Sequence, residues 1–316
     1  MIVHAGEALI DFLPVHDEAG RRSFTPVPGG SPYNTAVAAA RLEVPTAFLG
    51  KISNDLFGKQ IIEHLRNNGV GTDLVVRSDR LSTLAFVQPT EGSDVEYAFF
   101  SNGAADRSLD AAEIPELGGE ISAIQFGSIS LIADPTGATI LELIRRERAR
   151  RVTSFDPNIR PGLIEDEEGY RARLEAAFEG STIVKISAED LRWIYPDRSL
   201  ESAVSRLIDA DVHLVVVTDG AAGSRAYTAG SEVTVPAQPV TVVDTVGAGD
   251  SFHGGVLAWL HHSGKLSHNA IGALGNEELT RMLSFAAAVG GVTCSRPGND
   301  PPHRSDLPET IRALIL

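Results

Sequence analysis

The chain has 316 residues, 43% of them hydrophobic and 22% charged, which suits one large α/β domain or two smaller ones around a sizeable core. Its formal net charge of −15 disfavours nucleic acid and anionic membrane as partners, while leaving a nucleotide open, because that needs only local donors. The single cysteine, Cys294, excludes an intramolecular disulfide and a cysteine metal cluster, so a reducing cytoplasm is the expected compartment.

Read from the start, residues 1–14 carry His4, Glu7 and Asp11 among apolar residues and lack a basic leader, so they predict neither a signal peptide nor a membrane span. Residues 2–5 and 8–12 read as strands, and Asp11 reads as the polar residue that follows the apolar run of the second. Gly29 and Gly30 precede a small-residue helix over 34–41, and Asn34 at its start offers both a donor and an acceptor to a sugar hydroxyl pair. A strand over 46–50 and a helix over 58–67 follow. Runs at 85–89 and 95–100 predict a hairpin around the turn cluster Glu91-Gly92-Ser93-Asp94. With residues 10–28 it interrupts an otherwise regular alternation, and a small sheet over an α/β domain would act as a lid.

Beyond the hairpin, short β-rich runs at 123–126, 152–155, 183–186 and 214–218 alternate with helical patterns at 139–149 and 171–179. That alternation predicts a mainly parallel sheet covered on both faces, with ligands beyond the carboxyl ends of its strands. Polar clusters fall at such ends: Asp156-Pro157-Asn158, Ser187, and Thr218-Asp219-Gly220. The basic run Arg145, Arg146, Arg148, Arg150 and Arg151 reads as the solvated end of a helix. His261, His262 and His268 have no acidic partner at ligand spacing, and His253, one turn after Asp250, reads as packing behind the site.

The most informative stretch is Asp244-Thr245-Val246-Gly247-Ala248-Gly249-Asp250-Ser251-Phe252. An apolar run at 239–243 predicts a strand leading into a tight glycine loop and a helix with the stripe Phe252, Val256, Leu257, Leu260. The glycines leave N–H groups free at a helix N-terminus, where anions bind. A carboxylate beside such an anion hole suits deprotonation of a hydroxyl that attacks a phosphoryl group. The bland alternative is a strand–helix turn with an N-cap aspartate. A P-loop is excluded by the absence of Gly-x-x-x-x-Gly-Lys-Ser/Thr, and Phe252 occupies the position of a dinucleotide fingerprint's third glycine.

Residues 243–257, as V-D-T-V-G-A-G-D-S-F-H-G-G-V-L, closely resemble the C-terminal signature of the PfkB (ribokinase-like) carbohydrate kinases. Residues 29–58, with G-G-S-P-Y-N-T-A-V-A-A-A-R-L and F-L-G-K-I-S-N-D-L-F-G, resemble their N-terminal signature. The likeness runs from about residue 6 to 302 and is greatest to the fructokinases, through Gly6 to Asp11, Ala104 to Leu109, Asp156 to Arg160 and Lys185 to Ser187.

The resemblance implies a single ribokinase-like domain over 1–316, with a mainly parallel sheet and a discontinuous β lid at about 11–28 and 85–103. It implies ATP-dependent phosphorylation of a sugar hydroxyl, D-fructose to fructose 6-phosphate, with Mg²⁺ and with K⁺ as a candidate. Asp250 would be the base, the Gly247, Ala248 and Gly249 amides would stabilise the transferring phosphoryl group, and Arg160 would face phosphates or substrate. Asp11, Gly29, Gly30 and Asn34 would hold the sugar under Phe99, while Ser187, Thr218, Gly220 and Gly223 would line the ATP site. Asp190 would organise Mg²⁺ through water, and the backbone around Asp244 and Val246 matches the family's monovalent-cation loop. Relatives' lids pair edge to edge, which makes a homodimer the expected assembly.

Departures are visible. Ser187-Ala188-Glu189-Asp190 stands where many members carry Asn-x-x-Glu, and Ala286-Ala287-Ala288 replaces a segment expected after the last helix. A 2-keto-3-deoxygluconate kinase would need a cation near Phe99-Phe100-Ser101-Asn102, and a phosphosugar kinase would have to use Lys51 or Arg107. Ribokinase and nucleoside kinase remain open, since Asp11 and Asn34 suit any polyol, and intact Asp250 with both glycines argues against a non-catalytic sugar-binding or regulatory relative. The tail 299–303 is given no role.

Overall fold

A computed structural model describes residues 1–16, 20–89 and 95–315; the turn cluster expected at 91–94 lies outside these. In chain order the strands are β1 (Ile2–Ala5), β2 (Leu9–His16), β3 (Arg22–Gly29), β4 (Thr46–Ser53), β5 (Val75–Ser78), β6 (Leu84–Pro89), β7 (Val95–Phe100), β8 (Ala123–Gly127), β9 (Val152–Asp156), β10 (Ile183–Ser187), β11 (Leu214–Thr218), β12 (Ser224–Tyr227) and β13 (Glu232–Val235). The helices are α1 (Ser31–Arg41), α2 (Leu56–Asn67), α3 (Thr136–Glu147), α4 (Glu167–Glu179), α5 (Ala188–Ile194), α6 (Leu200–Asp209), α7 (Ala248–His262), α8 (His268–Gly272), α9 (Asn276–Cys294) and α10 (Glu309–Arg312).

Nine strands form one sheet in the order β13-β12-β11-β10-β9-β8-β1-β4-β5. It is parallel from β11 to β5, and β12 and β13 close one edge as an antiparallel hairpin. The mainly parallel sheet expected from the sequence is therefore present. Its central strands are buried on both faces, which is why they read as short runs rich in apolar residues, with His4, Gln125, Thr153, Ser154 and Lys185 buried among them. Neighbours along a strand point to opposite cores. Val3, Phe126, Val184 and Ile186 join one with α3 to α6, while Ile2, Ile183 and Leu214 join the other with α7 and α9.

Close packing of α1, α7 and α9 depends on glycine. A Cβ on Gly254 would lie 2.7 Å from the Ala38 Cβ, and one on Gly255 would lie 2.9 Å from the Ala286 Cα. The small residues that made the first helix legible are thus what lets α7 approach α1.

A second sheet has the order β3-β2-β6-β7, with β2 and β6 parallel and the outer pairs antiparallel. Phe12 stacks on Phe86 at 4.6 Å, and Phe24 and Phe100 meet the same ring edge-on. Asp11 sits within β2 rather than after a strand, because β2 runs on to His16 as the partner of β3.

Three further expectations need correction. No strand forms at 239–243: Val242 and Val243 are 60% and 59% exposed, and the amides of Val243 and Asp244 donate to the Cys294 carbonyl at the end of α9. Arg151 is not solvated. It is 8% exposed, pairs with Glu147 at 2.9 Å and donates to the carbonyls of Ile121 and Leu117. Ala286, Ala287 and Ala288 lie inside α9, not beyond the last helix. Among the described residues no helix is long and apolar enough to cross a membrane.

Candidate active site

The carboxyl ends of β9, β10 and β11, the start of α7 and one face of the small sheet surround a cavity of about 690 Å³. Asp250 is its centre. Gly247, at φ +73, is the N-cap of α7, which puts Asp250 in the third helical position. A Cβ at Gly247 would overlap the Asn299 side chain, 1.8 Å from its Oδ1. The tail given no role in the sequence therefore shapes the glycine loop.

The Asp250 carboxylate is buried and fixed from α1. Ser31 Oγ donates to its Oδ1 at 2.6 Å, and Asn34 Nδ2 donates to its Oδ2 at 2.8 Å. Burial pushes its pKa up to about 6 against the lowering effect of those two donors. Amides in the first turn have no acceptor within the helix. Of the three expected there, the Ala248 N–H is occupied by the Thr245 carbonyl at 3.2 Å.

Asp11, Gly30, Asn34 and Phe99 line the same cavity, and Gly29 stands behind them. The reason Gly29 is glycine is Asp11: a Cβ there would come within 2.1 Å of the Asp11 Oδ2. Gly30 is at φ +112, and a Cβ would meet the Glu7 carbonyl at 2.7 Å. Asp11 has a pKa pushed up to about 7, mainly by burial and further by the charge of Asp250, with Arg160 opposing.

Arg160 lines the cavity and is held by its neighbours. Its Nη1 donates to Asn158 Oδ1 at 2.7 Å and to the Ile159 carbonyl at 3.0 Å, and its guanidinium lies 5.7 Å from the Tyr97 ring centre. Ser187 caps α5 by accepting from the Asp190 N–H at 2.9 Å. Asp190 in turn accepts from the Ile159 N–H at 3.2 Å, and burial together with the charge of Asp156 raises its pKa to about 6.

A second cavity of about 610 Å³ adjoins the first, sharing Thr218, Thr245 and Gly249 with it. Gly220, Gly223, Val240, Ala287, Gly290 and Gly291 contribute to its mostly small and apolar wall. Asp244 reaches neither cavity. Its two carboxylate oxygens accept the amides of Val246 at 3.0 Å and Gly298 at 2.9 Å, and Val246 lines the first cavity.

Several site residues had no role assigned from sequence. Tyr97 stacks on Phe99 at 5.6 Å and shares its face of β7, so the two-residue period would have found it. Glu7 accepts from the Ser31 N–H at 3.0 Å and from Ser130 Oγ, linking it through Ser31 to Asp250. Lys185, within β10, and Asp156, at the end of β9, are paired at 2.8 Å and both buried; a charge inside a largely apolar strand is the signal. His253, which the sequence already placed as packing behind the site, is buried behind them, its Nε2 within 2.7 Å of Ser154 Oγ.

Residues 1–305 match the pfkB family carbohydrate kinase model. A fructokinase of Rhizobium leguminosarum bv. trifolii is 42% identical over 279 residues, spanning 88% of this chain and 85% of that one. The structure of a fructokinase with bound ATP from Xylella fastidiosa superposes with a TM-score of 0.88 at 29% identity, over 99% of this chain and 97% of that one. A fructokinase of Vibrio cholerae O395 superposes with a TM-score of 0.82 at 26% identity, as a double mutant holding fructose, ADP and potassium ion, over 94% of this chain and 93% of that one. The same enzyme with fructose, ADP and calcium ion gives 0.80 at 26% identity, over 94% of each chain. This chain belongs to the pfkB family of carbohydrate kinases and is a sugar kinase.

Proposed function

We propose that the enzyme transfers the γ-phosphoryl group of ATP to the 6-hydroxyl of D-fructose. The observation that carries this reading is Asp250, a buried carboxylate at the first turn of α7 where the two cavities meet. Sugar fills the polar cavity against Asp11, Gly30 and Asn34, with Tyr97 and Phe99 over it; the small sheet serves as the lid. The adenosine of ATP lies in the apolar cavity against Ala287, Gly290 and Gly291, and its phosphates run past Ser187, Thr218 and Gly249 toward Asp250.

In the reaction the sugar oxygen attacks the γ-phosphorus, the bond to the β–γ bridging oxygen breaks, and ADP leaves with that electron pair. The hydroxyl proton passes to Asp250. First-turn amides of α7 stabilise the equatorial oxygens of the phosphoryl group in transit. With a pKa of about 6, Asp250 is ionised at neutral pH and able to accept the proton as charge develops on the hydroxyl.

The acidic oxygen donors Asp190 and Glu189 in the cavity wall suit a hard divalent cation held through water, and Mg²⁺ is the cation we propose. When bound with ATP it neutralises phosphate charge. Because both Asp244 oxygens are taken by amides, a monovalent cation such as K⁺ would rest on backbone carbonyls of the 244–246 loop.

Fructose is favoured over a phosphosugar because the cations considered for a second phosphate are engaged elsewhere. Lys51 pairs with Glu113 at 2.7 Å, and Arg107 donates to Ser101 Oγ at 2.7 Å. The outer strands β3 and β7 of the small sheet carry exposed Phe24 and Phe100, which supports a homodimer joined through these edges. A single cysteine supports a cytoplasmic location. The test is ADP release with MgATP across fructose, ribose, 2-keto-3-deoxygluconate, adenosine and fructose 6-phosphate. Turnover led by fructose supports the reading, and preference for another member overturns the substrate while keeping the chemistry.

A further inference from the structure

Lys185 is a buried ammonium with more donors than partners. It sits near the carboxyl end of β10, two residues before Ser187, and lines the polar cavity with Gly249, Asp250, Asp190 and Thr218. Its Nζ donates to Asp156 Oδ2 at 2.8 Å, and no other bond from it is formed to a described residue, so two of its three N–H groups are uncommitted. Burial alone would pull its pKa down, yet the Asp156 carboxylate holds it above the ordinary lysine value, so the charge persists at neutral pH.

Charge in the cavity makes that ammonium conspicuous. Glu7, Asp11, Glu189, Asp190 and Asp250 line the wall, against two lining cations, Lys185 and Arg160. Arg160 has Nη1 spent on backbone and Asn158 and its face turned to Tyr97. Lys185 instead abuts the anion loop: a Cβ on Gly249 would lie 3.2 Å from its Nζ. A side chain at Gly249 would thus stand between the ammonium and the loop.

Behind it the support is incompletely satisfied. Asp156 Oδ1 and His253 Nδ1 are buried with no hydrogen-bond partner, and His253 Nδ1 is 3.9 Å from Asp156 Oδ2.

Resting on the phosphotransfer reading, we propose that Lys185 is a catalytic residue that donates to a non-bridging oxygen of the γ-phosphoryl group as it moves from ADP to the sugar oxygen. Asp156 is its positioning residue. The bonds made and broken are those of the transfer itself: the proton goes to Asp250, the leaving electron pair to ADP, and Lys185 keeps its protons throughout.

The test compares binding of β,γ-methylene ATP and ADP with turnover. Lys185→Met is combined with Asp156→Asn so that no carboxylate is stranded. The double variant should keep ADP affinity within about threefold and lose about 10- to 100-fold in affinity for the analogue, the size of a lost charged hydrogen bond. Its kcat should fall about 100- to 1,000-fold. Should the double variant fail to fold, Asp156→Asn alone decides. It removes the carboxylate that holds the buried ammonium charged and in place and should lower the analogue-to-ADP affinity ratio, whereas a lysine that merely neutralises Asp156 leaves that ratio unchanged. An unchanged ratio in either folded variant overturns the assignment. The binding measurements need no sugar, so failure of the fructose reading leaves them interpretable.

Discussion

Replacing Asp250 by Asn should make the protein more stable and nearly inactive. Its carboxyl has an unfolded pKa near 3.8 and a folded pKa near 6, raised chiefly by burial. Because the folded state binds the proton more tightly, an ionised Asp250 destabilises the fold above about pH 6, and that cost fades as pH falls toward 4. Two pH units correspond to about 3 kcal/mol. Asn keeps the shape but mismatches one of the two donors from Ser31 and Asn34, returning about 1 kcal/mol. The net gain is about 2 kcal/mol at pH 8. For a chain of 316 residues that is a rise in Tm of about 3 °C. The assay is thermal unfolding of wild type and variant at pH 8 and pH 4.5, without ligands, beside turnover at pH 8. Turnover should drop at least about a hundredfold. An Asn variant no more stable than wild type at pH 8, or equally stabilised at both pH values, would refute the idea of a buried, strained base.

Three other outcomes follow from the same geometry. Turnover per active site on a limiting sugar should fall about tenfold per unit below about pH 6 as Asp250 takes up its proton, read from a kcat/KM profile; a flat profile to pH 5 would contradict this. Gly30→Ala should destabilise by about 2 kcal/mol in urea unfolding and weaken sugar binding, since its φ is +112 and its Cβ would press on the Glu7 carbonyl. Arg151→Met should cost about 3 kcal/mol by taking the donors from one Glu147 oxygen and from the Ile121 and Leu117 carbonyls, with activity per folded molecule unchanged.

Much of the architecture was legible because its physics is local. The central strands are buried on both faces and appear as apolar runs, and Gly-x-Gly-Asp marks the helix start that needs a positive φ at Gly247. Where the reading went wrong, a distant partner decided. The run at 239–243 has strand composition, but its last amide, that of Val243, finds the Cys294 carbonyl instead of a neighbouring strand. Arg151 belongs to a basic run, yet carbonyls from Leu117 and Ile121 draw it inward. Ser31 stands in the N-terminal signature with no role of its own, and only the packing of α1 on α7 reveals that its hydroxyl holds Asp250. Tail residue Asn299 is likewise silent until the chain returns it to Gly247.

The central claim is that Asp250 drives phosphorylation of fructose at its 6-oxygen, and the most direct test identifies the product. Fructose and MgATP are incubated with wild-type protein and with the Asp250→Asn variant, and the product is read by phosphorus–proton correlation NMR. The account predicts phosphate on the 6-oxygen in the wild-type reaction and at least about a hundredfold less of it with the variant. Phosphate on another oxygen, or equal product from both proteins, would contradict it.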